Sequence, residues 1–419
     1  MYEGKRKVLP YLIMKSIRKG EKEMKVAVLG FGAIGKGVYE IISKKATTYT
    51  RQISVSYIWI RKGKEKVLPE MCDDFDTILQ DKEVDVVVEV LGGLEPAYSM
   101  IIQALKAKKH VVTANKKVVA AHLREFLQVA KENNVQFLFE ASTGGGIPWI
   151  RSVEKVKRID DVSDFHGIFN GTTNYILDRM YKDRIEFDVA LKQAQKLGYA
   201  EHDPSADIDG IDISNKLQIT TSLAYDCITP ENFPVFGIRN IVKTDIEYFR
   251  SKGKVIRCIA EAKRQGEALS CCVEPVAFSK HSMEACVPDN FNLGSVTGTT
   301  IGELKFYGQG AGMLPTANAI VQDMIDILEG EDETAFDFSK QIEFCYTAVI
   351  KDYILRTNLE EQDVRNVFGN HVGDVERLDG LSYYPVNQVS TLELHQGVEQ
   401  LKQLDEGLFF VRFQQEEKE

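Results

Sequence analysis

The sequence predicts an α/β protein, with a doubly wound parallel sheet first, an α+β domain next and a small βαββαβ module last. Three observations point there. Between residues 24 and 143 short apolar runs alternate with longer segments of helical period. A glycine-rich turn, Gly30-Phe31-Gly32-Ala33-Ile34-Gly35, sits where the first run gives way to the first helix. From 344 to 413 the order reads strand, helix, strand, strand, helix, strand. At 419 residues the chain is too long for one ordinary core, and two or three domains are expected.

The first strand, 25–29, is a short apolar run, and the helix beyond the glycine turn continues to about residue 44. Residues 53–60 are rich in β-branched and aromatic side chains and read as the second strand. The valine-dense stretch 84–90 suits a strand covered by helices on both faces. A helix is expected over 96–108, with proline in its first turn, then a strand at 110–113, a helix at 118–133 and a strand at 136–141. Such a strand-turn-helix context turns the glycine loop from a weak motif into a Rossmann-type dinucleotide site. Its first glycine allows the tight turn, its second lets the backbone reach a pyrophosphate, and its third lets the helix pack closely. The second strand ends in Ile60-Arg61-Lys62, with no acid before Glu65. A site specific for NAD would place a carboxylate there for the ribose hydroxyls. Two cations instead suit the 2′-phosphate of NADP, with NAD as an alternative cofactor.

Composition removes several classes of function. A net charge of −10 leaves no basic stripe for nucleic acid. The apolar runs, such as 84–92, are too short to cross a membrane. Seven scattered cysteines with no C-x-x-C pair suggest neither a disulfide framework nor a structural zinc, and point to a reducing, cytoplasmic setting. The basic segment 1–23 carries Glu3, Glu21 and Glu23 among its lysines and reads as an extension rather than a targeting peptide.

Four polar, glycine-containing segments follow. Thr113-Ala114-Asn115-Lys116 stands at the carboxyl end of a strand, where open α/β sheets bind ligands. Glu140-Ala141-Ser142-Thr143-Gly144-Gly145-Gly146-Ile147-Pro148 has the unusual backbone and the oxygens to hold a hard cation, and equally suits a hinge between domains. Asn170-Gly171-Thr172-Thr173-Asn174 lies between a strand at 164–169 and a helix from about Tyr175. The fourth runs from Gly198-Tyr199-Ala200-Glu201-His202-Asp203-Pro204 through Asp207 and Asp209-Gly210-Ile211-Asp212 to Lys216. Asp212 and Lys216 share a helix face. Taken alone, that pair is an ordinary surface salt bridge. In a cleft, a lysine beside carboxylates can move a proton to or from an alcohol. His202 reads as a solvated loop residue and is left out of the catalytic set.

In this order the segments resemble homoserine dehydrogenase. The matches are Gly30–Gly35, Thr113–Lys116, Gly144–Pro148, GTTNYIL at 171–177, Gly198–Pro204 with Asp207, 210–217, and Gly308-Gln309-Gly310-Ala311-Gly312 with Pro315-Thr316-Ala317. The resemblance implies interconversion of L-homoserine and L-aspartate 4-semialdehyde with NAD(P)H, in threonine and methionine biosynthesis. It implies Lys216 as proton donor, Glu201 and Asp212 as substrate-binding acids with Asp207 nearby, and Lys116 between nicotinamide and substrate. Phe31, Ala33, Ile34, Gly198 and Gly312 would line the cofactor. A monovalent cation, usually sodium, would sit on Glu140, Thr143, Gly145 and Ile147, mostly through backbone carbonyls. It also implies a domain layout: an extension at 1–23, a nucleotide domain at 24–143 that regains 313–330, a catalytic and dimerisation domain at 144–312, and an assembly of two or four copies. Two departures stand out: His202 beside Glu201, where the family has a small or apolar residue, and Asn318, where it has serine.

Beyond the acidic linker at 329–337, residues 340–415 resemble an ACT-type regulatory module, with strands at 344–350, 373–378, 381–389 and 408–413 and helices at 359–367 and 392–404. The Asp-x-Pro-Gly turn of that module is missing after the first strand, where Lys351-Asp352-Tyr353-Ile354-Leu355 stands. Threonine sensing, dimerisation and a vestigial role stay open. Two rival functions fit the residues less well. An aspartate semialdehyde dehydrogenase needs a nucleophilic cysteine, and no cysteine here has a nucleophile's context. A non-enzymatic sensor would have no use for Lys116, Asp212 and Lys216 together.

Overall fold

Two sheets organise the computed structural model, which describes residues 23–330, 336, 338, 340 and 342–414. The extension 1–22 and most of the acidic linker lie outside the described residues. The first sheet holds β1 (Met24–Leu29), β2 (Ile53–Trp59), β3 (Met71–Cys72), β4 (Val84–Glu89), β5 (His110–Thr113) and β6 (Phe137–Leu138). All six are parallel, in the order β3-β2-β1-β4-β5-β6. Helices α1 (Ala33–Ser43), α2 (Phe75–Gln80), α3 (Ala97–Lys106) and α4 (Lys116–Asn133) connect them. Val26, Val28, Val86 and Val88 enter one buried cluster, while Ala27, Leu29 and Val87 enter another. A strand covered on both faces has no position for a solvated side chain, which is why β4 is so dense in valine. The sheet's strand order reverses between β1 and β4, so the ligand crevice opens at their carboxyl ends.

The expected strand at 136–141 is shorter than its pattern suggested. Only Phe137–Leu138 pair, and Glu140–Ser142 turn into a 3-10 helix. The cause is Glu140, whose backbone N–H donates to Asp323 at 3.1 Å and so leaves the ladder.

The second sheet and its helices follow. They are α5 (Trp149–Lys157), β7 (Val162–Ile168), α6 (Gly171–Asp183), α7 (Phe187–Lys196), α8 (Ser205–Ile208), α9 (Ile211–Tyr225), α10 (Lys243–Ser251), β8 (Lys254–Gln265), β9 (Ala268–Ser279), β10 (Phe291–Gly298) and β11 (Gly302–Gln309). Helix α6 starts four residues before the expected Tyr175, because the Asn170 side chain accepts the Thr173 N–H at 2.8 Å and caps the helix there. Next comes α11 (Met313–Glu329), whose Ala317, Ile320 and Met324 pack into the cluster of Val26 and Val38 on the first sheet. Its contact with α1 is close: a Cβ on Gly37 would lie 2.9 Å from Ala317 Cβ.

The tail contributes β12 (Glu343–Phe344), β13 (Ile350–Thr357), α12 (Glu361–Phe368), β14 (Glu376–Leu378), β15 (Leu381–Ser390), α13 (Thr391–Lys402) and β16 (Phe409–Phe413). From β13 onward this is the expected βαββαβ order. Its sheet is continuous with the second one, β16 pairing in parallel with β9, in the order β11-β10-β7-β8-β9-β16-β13-β15-β14. The first strand needs correcting. Residues 346–349 are turn and bend, and Lys351–Leu355 lie inside β13. The turn after the strand is therefore Asn358-Leu359-Glu360, which also lacks proline and glycine.

Candidate active site

Two glycines of the first turn are required by the backbone, and a third leaves a face open. Gly30 has φ +106°, a region L side chains rarely adopt. A Cβ on Gly35 would meet the Gly30 carbonyl oxygen at 2.1 Å, so only glycine lets α1 sit on the turn. A Cβ on Gly32 would meet nothing within 4 Å, which leaves that side open for a ligand to approach. Helix α1 has no side-chain cap and no acid in its first turn, so its free N–H groups face an anion site. A cleft of about 430 Å³ opens here, lined by Gly30, Phe31, Gly32, Trp59, Arg61 and, unforeseen from sequence, Lys36 and Lys64. Ala33, Ile34 and Gly35 form the first turn of α1 behind it. Lys62 is exposed and is absent from the cleft lining, as are Gly198 and Gly312. The cation that accompanies Arg61 is Lys64, because the loop turns at Gly63, whose φ is +84°.

The second constellation gathers at the edge of α9. This helix is buried on almost every side, so the Asp212–Lys216 pair is no surface salt bridge. Asp212 is 4% exposed and Lys216 7%. Lys216 Nζ donates to Asp212 Oδ2 at 2.8 Å and to the Phe169 carbonyl at 2.5 Å. The other Asp212 oxygen is held by Lys116 Nζ, projected from the first turn of α4. Asn115 fixes that turn, its side chain accepting the Val118 N–H and donating to the Gly93 carbonyl at 2.7 Å. Asn170, besides capping α6, donates its amide to Asp212 at 2.8 Å and to Asp207 at 2.7 Å. Lys116, Asp207, Asp212 and Lys216, expected from sequence, thus converge from α4, α8 and α9. Asn170 and the Phe169 carbonyl were not foreseen in this role.

Charge in this cluster is decided by burial and by two ammoniums around one carboxylate. Burial works to raise the Asp212 carboxyl, but Lys216 and Lys116 overcome it and hold it well below the usual carboxylate range. Burial pulls Lys216 below an ordinary lysine, and the charge of Lys116 adds to that, against the pull of Asp212. Burial also raises Asp207, with Asp212 adding to the rise. Glu201 stays exposed and makes no hydrogen bond through its carboxylate among the described residues, though its charge helps raise Lys116. His202 is likewise exposed. An ammonium has three N–H bonds. Two on Lys216 are committed, and the third has no partner among the described residues.

The triple-glycine loop bends through two left-handed glycines. Gly144 and Gly145 take φ +82° and +60°. A Cβ on Gly145 would strike the Gly310 carbonyl at 2.4 Å. The Glu140 carboxylate is already occupied, accepting the N–H groups of Ile150 and Arg151 at 2.9 Å each in the first turn of α5. A cation bound at this loop would therefore use backbone carbonyls and the Thr143 hydroxyl, which is buried with no partner among the described residues. The carbonyls of Glu140 and Ile147 each accept one backbone N–H, from Thr143 and Trp149, which leaves each a second lone pair. An all-oxygen set of this kind fits a hard cation.

Comparison with known proteins identifies the family. Residues 148–325 match the family model described as homoserine dehydrogenase, and residues 30–140 match that of its NAD-binding domain. A homoserine dehydrogenase of Synechocystis is 37% identical over 383 residues, covering 85% of this chain and 88% of that relative. One from Bacillus subtilis is 36% identical, covering 74% of this chain and 73% of its own. The crystal structure of a homoserine dehydrogenase from Thiobacillus denitrificans superposes with a TM-score of 0.83 at 28% identity, covering 93% of this chain and 98% of that one. The chain belongs to the homoserine dehydrogenase family of NAD(P)-dependent oxidoreductases.

Proposed function

We propose that the Lys116, Asp207, Asp212 and Lys216 cluster is the catalytic centre for interconversion of L-aspartate 4-semialdehyde and L-homoserine. The observation that carries this is Lys216, a buried ammonium with one N–H uncommitted, held by Asp212 and the Phe169 carbonyl. The bound nicotinamide supplies or takes the hydride at the substrate carbon. In the reducing direction Lys216 gives its proton to the oxygen that gains negative charge; in the oxidising direction its neutral amine takes it back. Asp212 keeps Lys216 charged and aimed. With Glu201 it receives the ammonium or hydroxyl of the substrate, so that the reacting carbon meets the cofactor. Lys116, half-buried at the carboxyl end of β5, stands between the nucleotide cleft and this cluster and orients the substrate from the cofactor side. If Lys216 is the general acid, Lys216→Ala lowers turnover by roughly 10²–10⁴-fold with the fold intact. Near-normal turnover in that variant overturns the assignment.

The preferred cofactor is NADP, with Arg61 and Lys64 on the 2′-phosphate and NAD as the weaker alternative. Gly198 and Gly312 line the nicotinamide end of the same site. A sodium ion at the carbonyls of Glu140, Thr143, Gly145 and Ile147 stiffens the turn into α5. The assembly is a homodimer or homotetramer built on the domain spanning 144–312. The outer edge of β11, unpaired among the described residues and with Tyr307 exposed, supports this. The tail is an ACT-like module, and its continuity with the second sheet favours a structural, dimer-supporting role over threonine sensing. All seven cysteines are unpaired, which supports a reducing, cytoplasmic setting. No helix of the described residues is long and apolar enough to cross a membrane.

A further inference from the structure

The Trp149 indole contacts two residues that bond to Lys216, Thr220 and Phe169. It is the first residue of α5, directly after the triple-glycine loop and Pro148. Its side chain is fully buried. One face fits a gap on the second sheet that only glycine leaves: a Cβ on Gly294 of β10 would lie 2.6 Å from the indole. From there the indole N–H donates to Thr220 Oγ1 at 3.1 Å, and that hydroxyl donates to the Lys216 carbonyl at 2.9 Å, one turn back along α9. The ring also packs on Phe169, centroid to centroid 5.2 Å, and Phe169 supplies the carbonyl that receives Lys216 Nζ.

We infer that Trp149 is a positioning residue for Lys216, tying the triple-glycine loop to the proton donor through the Thr220 hydroxyl and the Phe169 carbonyl. This rests on the reading of Lys216 as the donor. Both ends of Lys216 are set by one indole: its backbone through Thr220 and its ammonium through Phe169. A shift of about 1 Å at a reacting group can cost on the order of 100-fold in rate. Loosening the wedge lets water reach the ammonium, so Lys216 moves back toward an ordinary lysine. The charged groups that face it are Asp212 on α9, Lys116 on α4 and Asp207 on α8, and none of them is altered by a change at Trp149.

The test compares Trp149→Phe, which keeps a ring but loses the donor, with Thr220→Val and Thr220→Ser. Steady-state NADPH oxidation with L-aspartate 4-semialdehyde is followed across pH. Expected for Trp149→Phe and Thr220→Val is a fall in kcat of roughly tenfold or more, KM for both substrates within about twofold, and a basic limb moved to higher pH. Thr220→Ser restores the hydroxyl and the wild-type profile. The double variant loses less than the product of the two single losses, since both changes break the shared chain from the indole through Thr220 to Lys216. Unchanged kcat and pH profile in Trp149→Phe and Thr220→Val overturn the inference, as do losses that multiply in the double variant. Normal turnover in Lys216→Ala instead removes the donor reading beneath it, so the two failures are distinguishable.

Discussion

Replacing Asp212 by asparagine isolates the electrostatics of the centre, because the side chain keeps its size and leaves no cavity. The wild-type carboxylate compensates two ammoniums. Lys216 is almost fully buried, and removing one partner of such a pair costs about 3–5 kcal/mol if the other stays charged. The Lys116 arm is solvent-screened and adds at most about 1 kcal/mol. Lys216 avoids most of that cost by releasing its proton. Its pKa, already lowered by burial and by Lys116, falls further once the opposite charge is gone. The general acid must be protonated, so activity in the reducing direction is lost at lower pH than in the wild type. The assay is kcat against pH with saturating NADPH and L-aspartate 4-semialdehyde, with urea unfolding in parallel. The account predicts a basic limb displaced downward. It also predicts a stability deficit that deepens as pH falls, because the folded variant then binds the Lys216 proton more weakly than the unfolded chain does. A basic limb that stays in place or moves upward would show that Asp212 does not hold the proton on Lys216.

Three further outcomes are expected. Arg61→Ala and Lys64→Ala raise KM for NADPH, by about tenfold in the double variant, and leave KM for NADH within about twofold, since only NADP carries the 2′-phosphate; equal losses for both cofactors would reject that role. Burial, with Asp323 beside it, pushes Glu140 up to about 8, and burial pushes Asp323 up to about 7. The stability these groups add is full below their unfolded values of about 4 and is lost as pH rises through about 7 to 8. Denaturant midpoints therefore fall progressively from about pH 4 to about pH 8 and level off above, and a flat profile over that range would contradict the assignment. Light scattering on the purified full chain gives the mass of two or four copies, and a monomer at micromolar concentration would remove the β11 edge as an assembly surface.

The fold was most legible where a residue's reason is local. Gly30, Gly32 and Gly35 could be read in advance because a turn, an approach and a helix contact are all settled within six residues. Asp212 and Lys216 were only half legible. Their spacing fixes a shared helix face, but the same spacing occurs on any solvated helix, and only the packing of α9 makes the pair buried. Asn170 illustrates a double role: an asparagine before glycine reads as a helix cap, and the two carboxylates its amide also holds come from segments about forty residues away. The expected end of the first tail strand at 350 falls short for a similar reason: Lys351 and Asp352 look solvated, yet they lie inside β13. In the folded chain Lys351 is neutralised by Glu261 at 2.9 Å and Arg356 by Asp245 at 3.1 Å, partners supplied by other elements. Lys64 escaped notice because a loop that turns back at Gly63 brings the second cation after Arg61, not the first, to the cleft.

The most direct test of the whole account is oxidation of NADPH and NADH by the purified chain in the presence of L-aspartate 4-semialdehyde, with L-homoserine identified as the product. The account predicts turnover with both cofactors, a higher kcat/KM for NADPH, and stoichiometric L-homoserine. No turnover with either cofactor, in a folded protein that binds NADPH, would contradict it.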